Sequence, residues 1–307
     1  MMSRMRVKEL KKICVVGAGT MGYQIALQCA FNGYHVAIFD ISKEALKKAQ
    51  EHVEKTLQDR VVRKLTSEAH VRESLSRITC YDQLEKAARS ADFVIEAVYE
   101  SVDVKRQVFS QLSKICSPHT ILASNTSSIR SSLFADATSR PEKVLAMNFG
   151  NPVWEHTTVE IMGNPKTSKE TINLSARLAL SIGITPIVIN KEIAGYAFNR
   201  VWRAVKKESL HLVDGGYVSF EDIDRAFMIN LGTSMGPFML MDMIGLDVVL
   251  AIERQYYSES GDESDKPPGM LDDMVKKGQL GVKSGKGFYS YPNPSYKQDG
   301  WIRGKPE

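Results

Sequence analysis

Gly17-Ala18-Gly19-Thr20-Met21-Gly22 sets three glycines at G-x-G-x-x-G spacing, directly after a short apolar run and at the start of a periodic apolar segment. At a strand-to-helix turn this spacing serves phosphate binding. The first glycine permits a tight turn, the second lets the backbone approach a pyrophosphate, and the third lets the helix pack closely on the strand. The phosphate charge then rests on free N–H groups at the helix start, around Thr20 and Met21. About 20 residues on, Asp40 closes the next apolar run, where a carboxylate accepts hydrogen bonds from ribose hydroxyls. An acid there repels a 2′-phosphate, and Ile41 and Ser42 offer no compensating arginine, so NAD is expected rather than NADP.

Such a turn needs a parallel sheet covered by helices, and the chain from Lys12 to about Ile189 alternates accordingly. Short β-branched runs predict strands at residues 13–16, 35–39, 93–96, 120–124, 144–147, 158–161 and 186–189. Apolar spacing of three and four predicts helices over 21–32, 43–57, 102–116 and 168–181. The fold class is α/β, a Rossmann-type doubly wound parallel sheet. After Ile189 the strand pattern stops, and 195–213, 220–228, 237–257 and 269–277 read as helices between Gly and Pro punctuation. Residues 1–190 are therefore expected to form the nucleotide-binding domain and 191–307 a smaller all-helical one. The run 278–287 reads as turn-forming, and 292–307 as polar enough to be poorly ordered.

Composition narrows the function classes. With 43% hydrophobic and 25% charged residues in 307, the chain can build two cores, and a net charge of +4 with both signs interspersed argues against a nucleic-acid binder. Four scattered cysteines show no metal-ligand spacing with the six histidines, so neither zinc nor disulfides are expected. The basic start at 1–12 leads into an apolar run too short for a signal, and no stretch is long enough to span a membrane. A cytoplasmic protein is the simplest expectation. The basic residues within 43–77, among them Lys47, Lys48, Lys55, Arg60, Arg63, Lys64 and Arg72, read either as a solvated face or as a receiver of anionic groups.

Further motifs follow in order: Phe93-Val94-Ile95-Glu96-Ala97-Val98 with Glu100 and Lys105, Ala123-Ser124-Asn125-Thr126-Ser127-Ser128, and Phe149-Gly150-Asn151-Pro152 leading to Val159-Glu160-Ile161. The helical part adds Gly195-Tyr196-Ala197-Phe198-Asn199-Arg200, Met235-Gly236-Pro237-Phe238 with Asp242, and Lys283-Ser284-Gly285-Lys286-Gly287-Phe288-Tyr289. Over essentially its whole length the chain thus resembles the L-3-hydroxyacyl-CoA dehydrogenase family. The resemblance implies Glu100, Lys105, Asn151 and Lys283 as cofactor contacts beside the glycine turn, and Ser127 and Asn199 as polar partners of the substrate oxygen. It also implies a homodimer through the helical domain, with 238–252 as a contact surface. In the family a histidine before Phe-x-Asn-Pro is the catalytic base, oriented by a glutamate twelve residues on. Here the glutamate is Glu160, but the histidine's position holds Asn148.

An asparagine amide donates a hydrogen bond to a substrate oxygen but does not titrate near neutrality, so Asn148 predicts slow or altered turnover. His156, on the same segment, reads first as a surface loop side chain and second as a substitute base. As ordinary structural residues, Ser127 would cap a helix, Asn199 would make an interdomain hydrogen bond, and Glu160 would be a buried acid with a cationic partner. Three functions follow. The first is an NAD-dependent 3-hydroxyacyl dehydrogenase acting on a small-molecule substrate, an acyl-CoA among the candidates. The second is a non-catalytic NAD-binding protein on the same scaffold. The third is a dehydrogenase of the 3-hydroxyisobutyrate or 6-phosphogluconate type, which relies on a lysine where this chain has Asn199 and Arg200.

Overall fold

The computed structural model describes Val7 and residues 10–304; most of the basic start, and residues 305–307, lie outside the described residues. The chain divides into two compact units, Met1–Ala197 and Phe198–Glu307.

In the first unit, β1 (Lys12–Val16) passes through the glycine turn into α1 (Thr20–Phe31), and β2 (His35–Phe39) is followed by α2 (Lys43–Val62) and α3 (Glu68–Ser76). Next come β3 (Ile78–Tyr81), α4 (Leu84–Ala88), β4 (Phe93–Glu96), α5 (Val102–Ile115) and β5 (Ile121–Ser124). β6 (Val144–Phe149), β7 (Thr158–Gly163), α6 (Lys169–Ser181) and β8 (Thr185–Ile189) complete it. The strands form one sheet in the order β3-β2-β1-β4-β5-β6-β7-β8. Strand order reverses between β1 and β4, and the crevice beyond the carboxyl ends at that point is where such sheets bind ligands.

The doubly wound sheet is as expected, with one difference: β7 runs antiparallel to β6, and β8 follows β7. Connection length explains the reversal. Residues 150–157 are too few for the helical crossover of a dozen or more residues that a parallel return requires. β3 and α4 leave no mark in the sequence, because β3 is a four-residue strand with no fully buried position. The central strands are buried on both faces: Ile13, Val15, Phe93 and Ile95 pack with α1, and Cys14, Val16 and Val94 with Phe109 and Leu112 of α5. α1 is buried almost all round, as its sequence, apolar on every side, requires.

The second unit packs α7 (Ala197–Asp214), α8 (Phe220–Leu231), α9 (Pro237–Ile244), α10 (Leu246–Ser260) and α11 (Gly269–Lys276) around Leu210, Phe238, Met241, Leu246 and Leu271. The single helix expected over 237–257 breaks at Gly245, whose φ of 102° no helix accommodates. Two buried acids organise this unit. Asp224 accepts the N–H groups of Phe238 (2.8 Å) and Met239 (3.1 Å) and the Tyr289 hydroxyl (2.8 Å). Asp242 accepts those of Phe288 (3.0 Å) and Tyr289 (2.9 Å) and the Tyr291 hydroxyl (3.0 Å). A Cβ at Gly281 or Gly287 would collide with Asp242, which is why this turn is glycine-rich.

The tail departs from expectation. Trp301 is buried, stacks edge-on with Tyr289 and Tyr296, and accepts a hydrogen bond from Arg225 Nε on its carbonyl (2.8 Å). Its aromatic residues dock the described part of the tail despite the polar composition.

Candidate active site

The glycine turn has the shape its spacing predicts. Gly17 has φ 107°, and a Cβ there would lie 2.5 Å from the Ala97 carbonyl oxygen; a Cβ at Gly22 would strike the Gly17 carbonyl. Gly19 caps α1, and a Cβ there meets nothing within 4 Å. Gly19 and Thr20 are exposed and Met21 is half-buried, so the N-terminus of α1 is open to an anion. Asp40 Oδ2 accepts the Ala18 N–H (2.8 Å) and Oδ1 the Ser42 N–H (2.9 Å), which holds the carboxylate beside the turn. These residues fit a dinucleotide with its pyrophosphate over Gly19.

Next to the turn lies an ion cluster built from β4, β5 and α5. Lys105 is wholly buried, and its ammonium lies 3.0 Å from both oxygens of buried Glu96 and 3.1 Å from Glu100 Oε2. Glu96 also accepts the Ser124 hydroxyl (2.6 Å) and the Val98 N–H (2.7 Å). Glu100 accepts the hydroxyls of Thr126 and Ser128. Burial pushes the Glu100 carboxyl up, but the Thr126 hydroxyl, the Lys105 charge and Ser128 outweigh it and hold the group below the usual range. Lys105, expected as a cofactor contact, presents no surface to a ligand. Its position fixes Glu100, which is partly exposed.

At the end of β6, Asn148 pairs in register with Glu160 on β7, and its Nδ2 donates to Glu160 Oε2 at 3.2 Å. Glu160 Oε1 accepts the Ala197 N–H at 2.8 Å. Glu160 is buried and Asn148 half-buried, so one amide face points away from the acid that holds it. Two neighbours that the sequence reading did not single out lock this corner. Asn125 Oδ1 accepts the Phe149 N–H (3.2 Å). Gln24, buried on α1, donates to Asn151 Oδ1 (3.1 Å) and accepts the Val153 N–H (2.9 Å). Through Gln24 the helix that opens on the phosphate turn also holds the loop after Asn148. A buried glutamine in an apolar helix was the available signal.

The remaining candidates are placed as follows. Ser127 is exposed on a bend and caps no helix; the side chain that ties this turn is Thr126, whose Oγ1 accepts the Ile129 N–H (2.9 Å). His156 is exposed, in keeping with a loop side chain, and a Cβ at Gly150 would collide with its backbone. Asn199 is half-buried in the first turn of α7, in the second unit. Lys283, in the same unit, lies 2.5 Å from Asp247 and serves a turn within that unit.

Comparison with known proteins agrees with this geometry. Residues 12–193 match the model of the 3-hydroxyacyl-CoA dehydrogenase NAD binding domain, and 195–291 that of the 3-hydroxyacyl-CoA dehydrogenase C-terminal domain. The chain is 38% identical to a probable 3-hydroxybutyryl-CoA dehydrogenase of Bacillus subtilis over 92% of its own length and 98% of that protein's. It is 31% identical to the mitochondrial hydroxyacyl-coenzyme A dehydrogenase of Homo sapiens, covering 92% of this chain and 91% of that one. The crystal structure of (S)-3-hydroxybutyryl-CoA dehydrogenase from Ralstonia eutropha superposes with a TM-score of 0.84 at 34% identity, covering 92% of this chain and all of that one. The first unit is thus an NAD-binding domain, and the chain belongs to the 3-hydroxyacyl-CoA dehydrogenase family of oxidoreductases.

Proposed function

We propose that the protein interconverts a 3-hydroxyacyl-CoA and its 3-oxoacyl counterpart in acyl-chain metabolism, using an asparagine where the family resemblance places a histidine. The observation that carries this reading is the Asn148–Glu160 pair beside an intact dinucleotide turn. NAD supplies a hydride acceptor when bound. Gly17, Gly19, Thr20, Met21 and Gly22 receive its pyrophosphate, Asp40 its ribose, and Glu100 and Asn151, held by Lys105 and Gln24, line the path beyond. Asn148 donates to the substrate oxygen with its free amide hydrogen, Glu160 fixes the amide's orientation, and Ser127 and Asn199 are the further polar partners.

The CoA phosphates fall to α2 and α3. Lys47, Lys48 and Arg72 pair there with Glu51, Glu44 and Glu68, whereas Lys55, Arg63 and Lys64 have no such pair among the described residues and remain available to an anion. Arg60 lies over the rings of Phe31 and Trp154. Within 238–252, the expected contact surface, Met243, Ile244, Val248 and Ile252 are exposed, and a second copy of the chain is the proposed cover. Four free cysteines suit a reducing compartment such as the cytoplasm, and no described helix is long and apolar enough to cross a membrane.

The deciding measurement is NADH oxidation with acetoacetyl-CoA by wild type and Asn148→His, with NADH binding measured separately. Wild-type turnover about 10²- to 10⁴-fold below the histidine variant is expected, the usual worth of general acid–base help. Turnover by the histidine variant alone would establish the non-catalytic reading. NADH binding without turnover by either protein would exclude acetoacetyl-CoA as the acceptor.

A further inference from the structure

Tyr196 stands outside the chemistry described so far and is hard to explain as packing. It is completely buried, its φ is +54°, and its hydroxyl finds no hydrogen-bond partner among the described residues. A bulky side chain in left-handed backbone and an unpaired buried phenol are both unfavourable, and phenylalanine would fill the same space without the second cost. Its ring packs on Ala146, Met162 and Ile189. Ala146 and Asn148 alternate on β6 as Met162 and Glu160 do on β7, so Tyr196 covers the same sheet face one register pair behind Asn148 and Glu160. The residue after it donates its N–H to Glu160. The carboxylates whose charge acts on its phenol are Glu100, Glu160 and Glu192, which with burial push its titration far up and leave the hydroxyl a permanent donor.

We propose that Tyr196 is a positioning residue for the Asn148–Glu160 pair: its hydroxyl holds a buried water against Glu160, and through this water Glu160 takes the proton that an amide cannot. In the oxidative direction the C3–H bond breaks and its electron pair leaves as hydride to NAD. The C3–O bond becomes a carbonyl, and the hydroxyl proton passes through the water to the Glu160 carboxylate, which returns it in reverse.

The inference rests on the proposed dehydrogenase activity, and the test separates the two. A high-resolution crystal structure of the wild type should show a water bonded to both Tyr196 Oη and Glu160, and Tyr196→Phe should lose it with no other change. With 3-hydroxybutyryl-CoA, Tyr196→Phe should lower kcat about tenfold at unchanged KM and unchanged NADH affinity. In a double-mutant cycle, Tyr196→Phe should cost nothing further in a Glu160→Gln background. A phenol with no water between it and Glu160, a wild-type kcat in Tyr196→Phe, or additive losses would each overturn the inference while leaving the activity standing. No wild-type turnover of any 3-hydroxyacyl-CoA would overturn the proposed function and the proton role with it.

Discussion

One acid pair in each unit stands out, and the two pairs are compensated by opposite means, although a third buried acid of the second unit, Glu253, does have a cation, Lys206 at 2.8 Å. In the first, Glu96 and Glu100 share a counter-charge, the enclosed ammonium of Lys105, supplemented by hydroxyls and one N–H. In the second, Asp224 and Asp242 have only backbone N–H groups and tyrosine hydroxyls. The Thr126 hydroxyl, the Lys105 charge and Ser128 together hold Glu100 below its usual range, whereas at the more deeply buried Glu96 desolvation outweighs the same counter-charge and pushes the carboxyl up. At Asp224, with dipoles alone, burial pushes the carboxyl up to about 6 against its three donors. The first arrangement keeps a charge beside the cofactor turn at every physiological pH. The second ties α8, α9 and the glycine-rich turn together and has no need of a permanent charge.

Removing the shared cation should separate the two regions most. Lys105→Met leaves buried Glu96 without its cation beside the partly exposed Glu100, and a loss of about 3–5 kcal/mol is expected, as for other buried pairs deprived of one partner. Chemical denaturation should register it, and hydrogen exchange should confine the damage to the first unit. A loss below about 1 kcal/mol would mean that the hydroxyls and the Val98 N–H suffice.

Acidification should move the contributions of Asp224 and Glu100 in opposite directions, with Glu96 on the side of Asp224. A carboxyl raised to about 6 from 3.8 binds its proton more tightly when folded, so this contribution is largest below pH 4 and is lost as pH rises through 6. Going from pH 7 to pH 4, Asp224 should therefore add about 2 kcal/mol to the second unit. Glu100, depressed when folded, stabilises the first unit above its unfolded value and withdraws that support as pH falls below about 4. The difference in opening free energy between wild type and Glu100→Gln in α5, and between wild type and Asp224→Asn in α8, would test this, and pH slopes of the same sign would end the contrast.

Smaller effects sharpen the comparison inside the first unit. Gln24→Ala removes both ties to the Asn151–Val153 loop, at a cost of about 1–2 kcal/mol in stability; the loss should be accompanied by a higher KM for NADH. Ser128→Ala takes one donor from Glu100 at a half-open position, for which less than about 1 kcal/mol is expected. A larger effect there would show that the exposed side of Glu100 is better sheltered than its surroundings suggest.

Much of the site was legible beforehand because it depends on local spacing. Gly17, Gly19 and Gly22 act within one turn, Asp40 ends the neighbouring strand, and Asn148 meets Glu160 because two adjacent strands reverse over a short loop. Gln24, Asn125 and Thr126 were not legible, since each looks ordinary in its own segment and gains its role from a backbone group or a side chain across the fold. Lys105 was expected at the surface of the cofactor site and is enclosed instead, a distinction between pairing and exposure that residue type cannot carry.

By itself the sequence determined the alternation of strand and helix, the nucleotide turn, the preference for NAD and the missing histidine, because each follows from side-chain type at short range. Only the tertiary structure decided which acids share a cation, which loop α1 holds, and that Tyr196 buries an unpaired hydroxyl behind Glu160. Those depend on desolvation and on distances between segments far apart in the chain, and neither is written in the order of residues.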